Sequence, residues 1–73
     1  MERQEIEIRT EFIRLQDLIK FAGAADTGGA AKLLIAAGRA EVNGEVCTQR
    51  GRKLRPGDRA VLDGELELVV KCS

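Results

Sequence analysis

The sequence predicts an α+β fold in which a two-helix unit packs on a small, mostly antiparallel sheet, in the order β-α-α-β-β-β-β. Between residues 13 and 38, apolar residues recur with helical spacing in two runs, and each run ends at a glycine. Beyond residue 38 the spacing changes to two, and an Asn-Gly pair and an Asp-Gly pair mark tight hairpins. With 73 residues, the chain is expected to form a single domain over residues 1–73.

A strand and two helices are predicted for the first half. The run EIEIR, residues 5–9, alternates apolar and polar side chains as a half-buried strand does. A first helix follows over residues 13–23, and we expect Phe21, which lies off its apolar stripe, to pack against a neighbouring loop or the first strand. A second helix over residues 25–38 has Thr27 as its predicted N-cap. The apolar faces of the two helices consist of Leu15, Leu18, Ile19 and Ala22, and of Ala31, Leu34 and Ile35.

Four strands are predicted for the second half. The run RAEVNGEVC, residues 39–47, gives two strands around Asn43-Gly44, a pair that accepts the positive φ angles of a tight hairpin. The run TQRGRKL, residues 48–54, reads as a loop, and a Pro-Gly turn follows at residues 56 and 57. The run RAVLDGELELVV, residues 59–70, gives two more strands around Asp63-Gly64.

The residue types argue against catalysis and against metal binding. The chain has no histidine, so no serine, threonine or cysteine can have a histidine partner. Cys47 and Cys72 are isolated from other ligands, and two unrelated thiols are favoured over the disulfide that their number alone would allow. The run TGGAAK does not fit the phosphate-loop pattern, because no lysine and hydroxyl follow at the required spacing. We therefore expect no enzyme activity, no cofactor, no metal and no small-molecule substrate.

Localisation is expected to be cytoplasmic, without membrane contact. No apolar run approaches the roughly 18 residues of a membrane helix. The opening run MERQEIEIR is charged throughout, unlike a signal peptide.

Positive charge is concentrated in the middle of a chain whose net charge is zero. Residues 14–59 carry nine bases and five acids, whereas the segments before and after them each have a net charge of −2. The run QRGRKLRPGDR, residues 49–59, holds five bases and one acid: Arg50, Arg52, Lys53, Arg55, Arg59 and Asp58. The planar fork of arginine suits bidentate phosphate contact. We interpret this stretch as a polyanion-binding loop, although a solvated charged loop would have the same composition.

The start of the second helix is a further candidate for phosphate binding. Thr27, Gly28 and Gly29 open the helix, whose first N–H groups lack intrahelical partners, and Lys32 follows one turn later. The alternative is a tight interhelical turn beside a solvated lysine. Arg39, just after this helix and before the Asn-Gly hairpin, could join the basic patch of residues 49–59.

The composition favours a folded or double-stranded nucleic acid as the polyanion. There is no Trp or Tyr and there are only two Phe residues, so the aromatic platforms that read single strands are missing. The residues alone do not choose RNA over DNA. An interaction module that docks an acidic protein through the basic loop is the alternative function.

Five short motifs occur together: L-x-x-L-I at residues 15–19, T-G-G-x-A-K at 27–32, V-N-G at 42–44, R-G-R-K-L at 50–54 and P-G-D at 56–58. In their joint spacing, residues 12–64 resemble the alpha-L RNA-binding domain, which is named for protein four of the small ribosomal subunit. The likeness is greatest to a short bacterial group in which this domain stands almost alone.

The resemblance implies a non-enzymatic protein that binds structured RNA, with ribosomal RNA as one candidate, and we expect it to act as a monomer. It implies that the start of the second helix and the basic loop face the RNA, with flanking contacts from the first helix and from Arg39. Together with the charge pattern, it gives the predicted RNA-binding residues: Arg14, Lys20, Thr27, Gly28, Gly29, Lys32, Arg39, Arg50, Arg52, Lys53 and Arg55. Ala30 and Gln49 depart from the family pattern, which often has an acid and a further base at these positions.

Overall fold

The computed structural model describes residues 1–73 and contains seven strands and two helices. The elements in chain order are β1 (Glu2–Ile8), β2 (Ile13–Arg14), α1 (Leu15–Phe21), α2 (Gly28–Ala36), β3 (Ala40–Val42), β4 (Glu45–Val46), β5 (Lys53–Leu54), β6 (Arg59–Leu62) and β7 (Leu66–Cys72). The predicted α+β class is confirmed. The structure adds two strands to the predicted order, β2 and β5, each of two residues.

The strands form two sheets. The larger sheet has the order β1-β7-β6-β3-β4, in which β1 runs parallel to β7 and all other neighbours are antiparallel. The smaller sheet pairs β2 with β5, so that Ile13 lies opposite Leu54 and Arg14 opposite Lys53. The prediction of a loop over residues 48–54 was therefore wrong at its end, because Leu54 is fully buried and its strand pairs with a segment 40 positions earlier.

Both predicted hairpins of the larger sheet are confirmed. Asn43 and Gly44 join β3 to β4 with φ angles of 52° and 89°, and Asp63 and Gly64 join β6 to β7 with φ angles of 54° and 65°. Two successive positive φ angles are those of the turn whose twist matches antiparallel strands. The Asn-Gly and Asp-Gly turns thus set the register of these two strand pairs.

The helices pack their predicted faces inward. In α1, Leu15, Leu18 and Ile19 are fully buried, and in α2 the same holds for Ala31 and Ile35. The hydroxyl oxygen of the predicted N-cap of α2 accepts a hydrogen bond from the N–H of the residue three positions later, at 3.1 Å. Both helices are shorter than the predicted runs, with seven and nine residues, and neither is long and apolar enough to cross a membrane.

The core consists of sixteen buried residues, all of them hydrophobic and none of them aromatic. The prediction that Phe21 would pack against a loop or the first strand was wrong, because its side chain is 75% exposed. Ile8 and Ile13 are buried in the core, and both line the depression beside the exposed Phe21. Cys47 is buried and Cys72 exposed, and both are free thiols.

Candidate nucleic-acid interface

The basic loop holds the start of α1. The N–H of Leu15 donates to the carbonyl of Arg52 at 2.8 Å, and the N–H of Gln16 donates to the carbonyl of Arg50 at 3.1 Å. The N-cap residue Arg14 makes no side-chain capping bond. Because the first N–H groups of a helix need outside acceptors, the loop backbone serves as the cap of α1. The loop is thereby fixed in place while its arginine side chains stay exposed.

A pair of like charges faces solvent on the β2–β5 ladder. Arg14 and Lys53 are directly opposite each other, both are exposed, and neither forms an ion pair. The Lys53 ammonium lies 4.7 Å from the ring centroid of Phe12, so a cation–π contact holds it on the surface. Like charges at directly opposite positions destabilise a strand pair. An anion bound between the two side chains would remove that repulsion.

The second helix meets the basic loop across a shallow depression. The depression has a volume of about 480 Å³ and is lined by Lys32 and Ala36 from α2 and by residues 48–51 of the loop. Lys32 and Arg50, which are 18 positions apart in the chain, therefore line one concave surface. The structure brings the two predicted binding segments together here.

The start of α2 offers unpaired backbone donors. The N–H groups of Gly28 and Gly29 donate no hydrogen bond. The Thr27 hydroxyl, which caps the helix, accepts from the N–H of Ala30. A Cβ added at Gly28 would meet nothing within 4 Å, and one added at Gly29 would meet only the Thr27 hydroxyl oxygen at 3.8 Å. Neither glycine has a positive φ. Packing and backbone geometry thus give no reason for two glycines in the first turn, where alanine would favour the helix.

A turn stabilised by Asn43 and Asp58 presents Arg55. The N–H of Arg55 donates to the Asp58 carboxylate at 2.8 Å, and the Asn43 amide donates to the other carboxylate oxygen at 3.3 Å. The side-chain oxygen Oδ1 of Asn43 accepts from the N–H of Arg59 at 3.1 Å and so joins the β3–β4 hairpin to this turn. The one acid of the basic stretch therefore bonds to amide groups, which leaves the Arg55 guanidinium without an ion pair. Sequence reasoning recognised Asn43 only as a turn residue, because its partners lie 15 and 16 positions away.

Ion pairs divide the twelve bases of the chain into two groups. Four bases are paired with acids: Arg3 with Glu67 at 3.1 Å, Arg39 with Asp63 at 2.6 Å, Arg59 with Glu67 at 3.6 Å, and Lys71 with Glu5. The hydrogen bond from Lys71 lowers the pKa of Glu5. Eight bases are unpaired: Arg9, Arg14, Lys20, Lys32, Arg50, Arg52, Lys53 and Arg55. Seven of these eight are predicted RNA-binding residues, so the acids neutralise the sheet and leave the predicted surface uncompensated.

Arg39 differs from the other predicted bases in forming an ion pair. Its guanidinium donates two hydrogen bonds of 2.6 Å to the Asp63 carboxylate, which raise the pKa of Arg39 and lower that of Asp63. It follows the C-terminal end of α2, and nine helical residues separate that end from Thr27, a rise of about 13 Å. The structure thus gives Arg39 a partner in the β6–β7 turn.

The structure gathers six of the unpaired bases around the start of α1, the β2–β5 ladder, the loop and the facing side of α2. We call this group the basic surface: Arg14, Lys32, Arg50, Arg52, Lys53 and Arg55. Lys20 lies in the last turn of α1, at the opposite end of that helix from the capping loop.

Comparison with known proteins identifies the family of the chain. A model of the S4 domain family matches residues 6–70, which extends the likeness beyond residues 12–64 and into the paired strands β1 and β7. A protein of Bacillus subtilis (strain 168) named "Probable ribosome maturation protein RlbA" is 39% identical over 59 residues, a stretch that covers 81% of this chain and 83% of that protein. The resemblance to the domain named for protein four of the small ribosomal subunit is confirmed, and the chain belongs to the S4 family of RNA-binding domains.

Proposed function

We propose that residues 1–73 act as one non-catalytic domain that holds structured RNA mainly through contacts between the basic surface and RNA phosphates. The observation that carries this proposal is that some bases of the chain are paired with acids and others are not. Acids compensate the bases of the sheet, whereas no acid pairs with the six bases of the basic surface. A protein gains nothing in stability from uncompensated like charges, and a polyanion is the ligand that such a surface fits.

Two kinds of donor would contact the phosphates. Arg50, Arg52 and Arg55 offer forked guanidinium groups, which bind phosphate oxygens in pairs. The unpaired N–H groups of Gly28 and Gly29 offer backbone donors at the positive end of a helix dipole. The depression between Lys32 and Arg50 lies between these donors and would receive the RNA backbone.

The proposed target is structured RNA, read by shape more than by base identity. One aromatic ring, that of Phe12, lies against the basic surface, and the Lys53 ammonium already covers it. The wide, shallow minor groove of A-form RNA suits recognition through phosphates and 2′-hydroxyls. The name of the Bacillus relative supports ribosomal RNA, or an intermediate of ribosome maturation, as the natural target in the cytoplasm.

This mode of binding requires neither a cofactor nor a second protein chain, and we propose that the protein binds as a monomer. Arg39 would contribute less than the other predicted residues, because its guanidinium already holds the Asp63 carboxylate. Lys20 would be a marginal contact at the far end of α1.

The test is a binding titration against a structured RNA, the matching DNA duplex and the single strand, each at several salt concentrations. With six phosphate contacts, log K should fall against log[salt] with a slope of about −4.2 to −5.4, and structured RNA should bind best. Equal, salt-insensitive binding to all three would contradict the proposal. A protein partner that is retained after nuclease treatment of a pull-down would favour docking of an acidic protein instead.

A further inference from the structure

The geometry points to a second subsite, in which Phe21 stacks on a single unpaired nucleotide of the bound RNA. The inference rests on the proposed function, because it extends the RNA-binding surface to the last turn of α1. It adds a contact with a base to a surface that otherwise meets phosphates.

Phe21 is the most exposed aromatic side chain of the protein. The residue is 75% exposed, while Phe12, the only other aromatic residue, is half-buried beneath the Lys53 ammonium. Exposure of an apolar phenyl ring to water is unfavourable in proportion to its area, and Phe21 is not part of the hydrophobic core. Stacking of a base on the ring would cover that area.

Two depressions lie beside the ring and give a planar ligand room to approach it. One, of about 400 Å³, is lined by Asp17, Lys20 and Phe21. The other, of about 320 Å³, is lined by Phe21, Asp17, Ile13 and residues 7–10. Phe21 and Asp17 line both depressions and thus form the ridge between them.

An unpaired cation lies at each side of this ridge. Lys20 lines the first depression and Arg9 the second, and neither forms an ion pair. Of the eight unpaired bases, Arg9 is the only one that is not among the predicted RNA-binding residues. A ring between two free cations suits a nucleotide, whose base stacks while the phosphates on its two sides meet the charges.

Two carboxylates also line the subsite, and they limit the ligand to one that can donate hydrogen bonds. Asp17 and Glu7 have no ion-pair partner. A carboxylate at this position can accept from a 2′-hydroxyl, which every unpaired ribonucleotide offers, or from the exocyclic amine of adenine, guanine or cytosine.

The size of the apolar patch favours a nucleotide over a protein partner. The other large exposed apolar side chains, Met1, Leu33 and Val46, line neither depression. A stable protein interface buries at least about 1,000 Å² and has an apolar centre of several residues. One isolated ring matches the area of one base.

The experiment uses Phe21→Trp, which introduces the only tryptophan into a chain that has no Trp or Tyr. The probes are an RNA duplex with one bulged adenosine and the same duplex without the bulge. We expect the bulged duplex to quench the tryptophan emission and the fully paired duplex to leave it unchanged, although both bind through the basic surface. Glu65→Trp, in the exposed β6–β7 hairpin, is the control and should respond to neither duplex.

A second variant, Phe21→Ala, gives an independent measurement of affinity. It should weaken binding of the bulged duplex about 5- to 150-fold and leave the fully paired duplex unaffected, because one stacked base is lost. The salt slope should stay at its wild-type value, since no cation is removed. Circular dichroism checks the fold, which an exposed side chain should not disturb.

Three outcomes would overturn the subsite. Identical emission with both duplexes, while both bind, would remove the base from Phe21 and leave the proposed function standing. An equal loss of affinity for both duplexes in Phe21→Ala would do the same. If neither duplex binds the wild-type protein, the subsite and the proposed function fail together.

Discussion

Replacing Gly28 and Gly29 by alanine should make the domain more stable and its RNA binding weaker. Both glycines lie in the first turn of α2 without a positive φ, and their added Cβ atoms would make no contact shorter than 3.8 Å. Alanine can therefore adopt the native backbone, and each substitution restricts the unfolded chain. The gain is about 0.4–1 kcal/mol per site, or about 1–2 kcal/mol for the double variant.

The expected loss of affinity follows from the unpaired N–H groups at the same two residues. A hydrogen bond to a charged acceptor contributes about 1.5–3 kcal/mol, and a methyl group beside each N–H would keep a phosphate from approaching it. Losing one such bond lowers affinity at least about 10-fold. The salt slope should change little, because no cation is removed.

Thermal unfolding and RNA titration of the double variant provide the assay. For a domain of this size the melting temperature should rise by about 5–15 °C. A more stable variant that binds RNA with wild-type affinity would refute the reasoning and remove the start of α2 from the binding site. A less stable variant would instead refute the reading of the two glycines as free of packing constraints.

Two further predictions concern the loop and the ion pairs. RNA binding should slow hydrogen exchange at the amides of Leu15 and Gln16 more than at the amides of β6 and β7. The reason is that those two amides donate to carbonyls of the basic loop, which bound RNA would immobilise. Equal slowing of exchange in all these elements would contradict a link between the loop and the start of α1. The Arg39 guanidinium holds the pKa of Asp63 below its usual value near 4, so the stabilisation is present above that value and is lost as the pH falls through the lower folded pKa. The melting temperature should therefore fall below about pH 4, and the fall should be smaller in Arg39→Gln; an unchanged pH profile in that variant would contradict the assignment.

Local signals predicted the fold well where neighbours in sequence are neighbours in space. The Asn-Gly and Asp-Gly pairs placed two hairpins, and the 3.6-residue period placed the buried faces of both helices. Capping of α2 by Thr27 followed from the preference of the residue type. Each of these features depends on contacts within a few residues of chain.

Features that depend on distant partners were missed. The β2–β5 ladder has only two residues on each side, too few for an alternation to show, and its strands are 40 positions apart. The ion pair of Arg39 joins residues 24 positions apart, and sequence alone could not separate this arginine from the unpaired bases. The exposure of Phe21 could not be predicted from its own helix, because the core beside it is built from isoleucines of two other segments, Ile8 and Ile13.

The sequence predicted which residues make up the candidate site, whereas their arrangement came from the structure. The concentration of bases in residues 49–59 indicated a polyanion, but not that the loop backbone caps α1. Nor did it indicate that acids compensate the other bases of the sheet. That division of charge separates a binding surface from ordinary surface charge.

The most direct test of the central claim compares two double variants that remove the same charge from different places. Arg50→Gln with Arg52→Gln removes two unpaired bases whose backbone caps survive, while Arg3→Gln with Lys71→Gln removes two bases from ion pairs on β1 and β7. The salt dependence of binding to a structured RNA is measured for both and for the wild type. We predict that the loop variant binds more weakly, with a salt slope about 1.4–1.8 smaller in magnitude, and that the sheet variant retains the wild-type slope. Equal losses in the two variants would mean that overall charge, and not the basic surface, determines RNA binding.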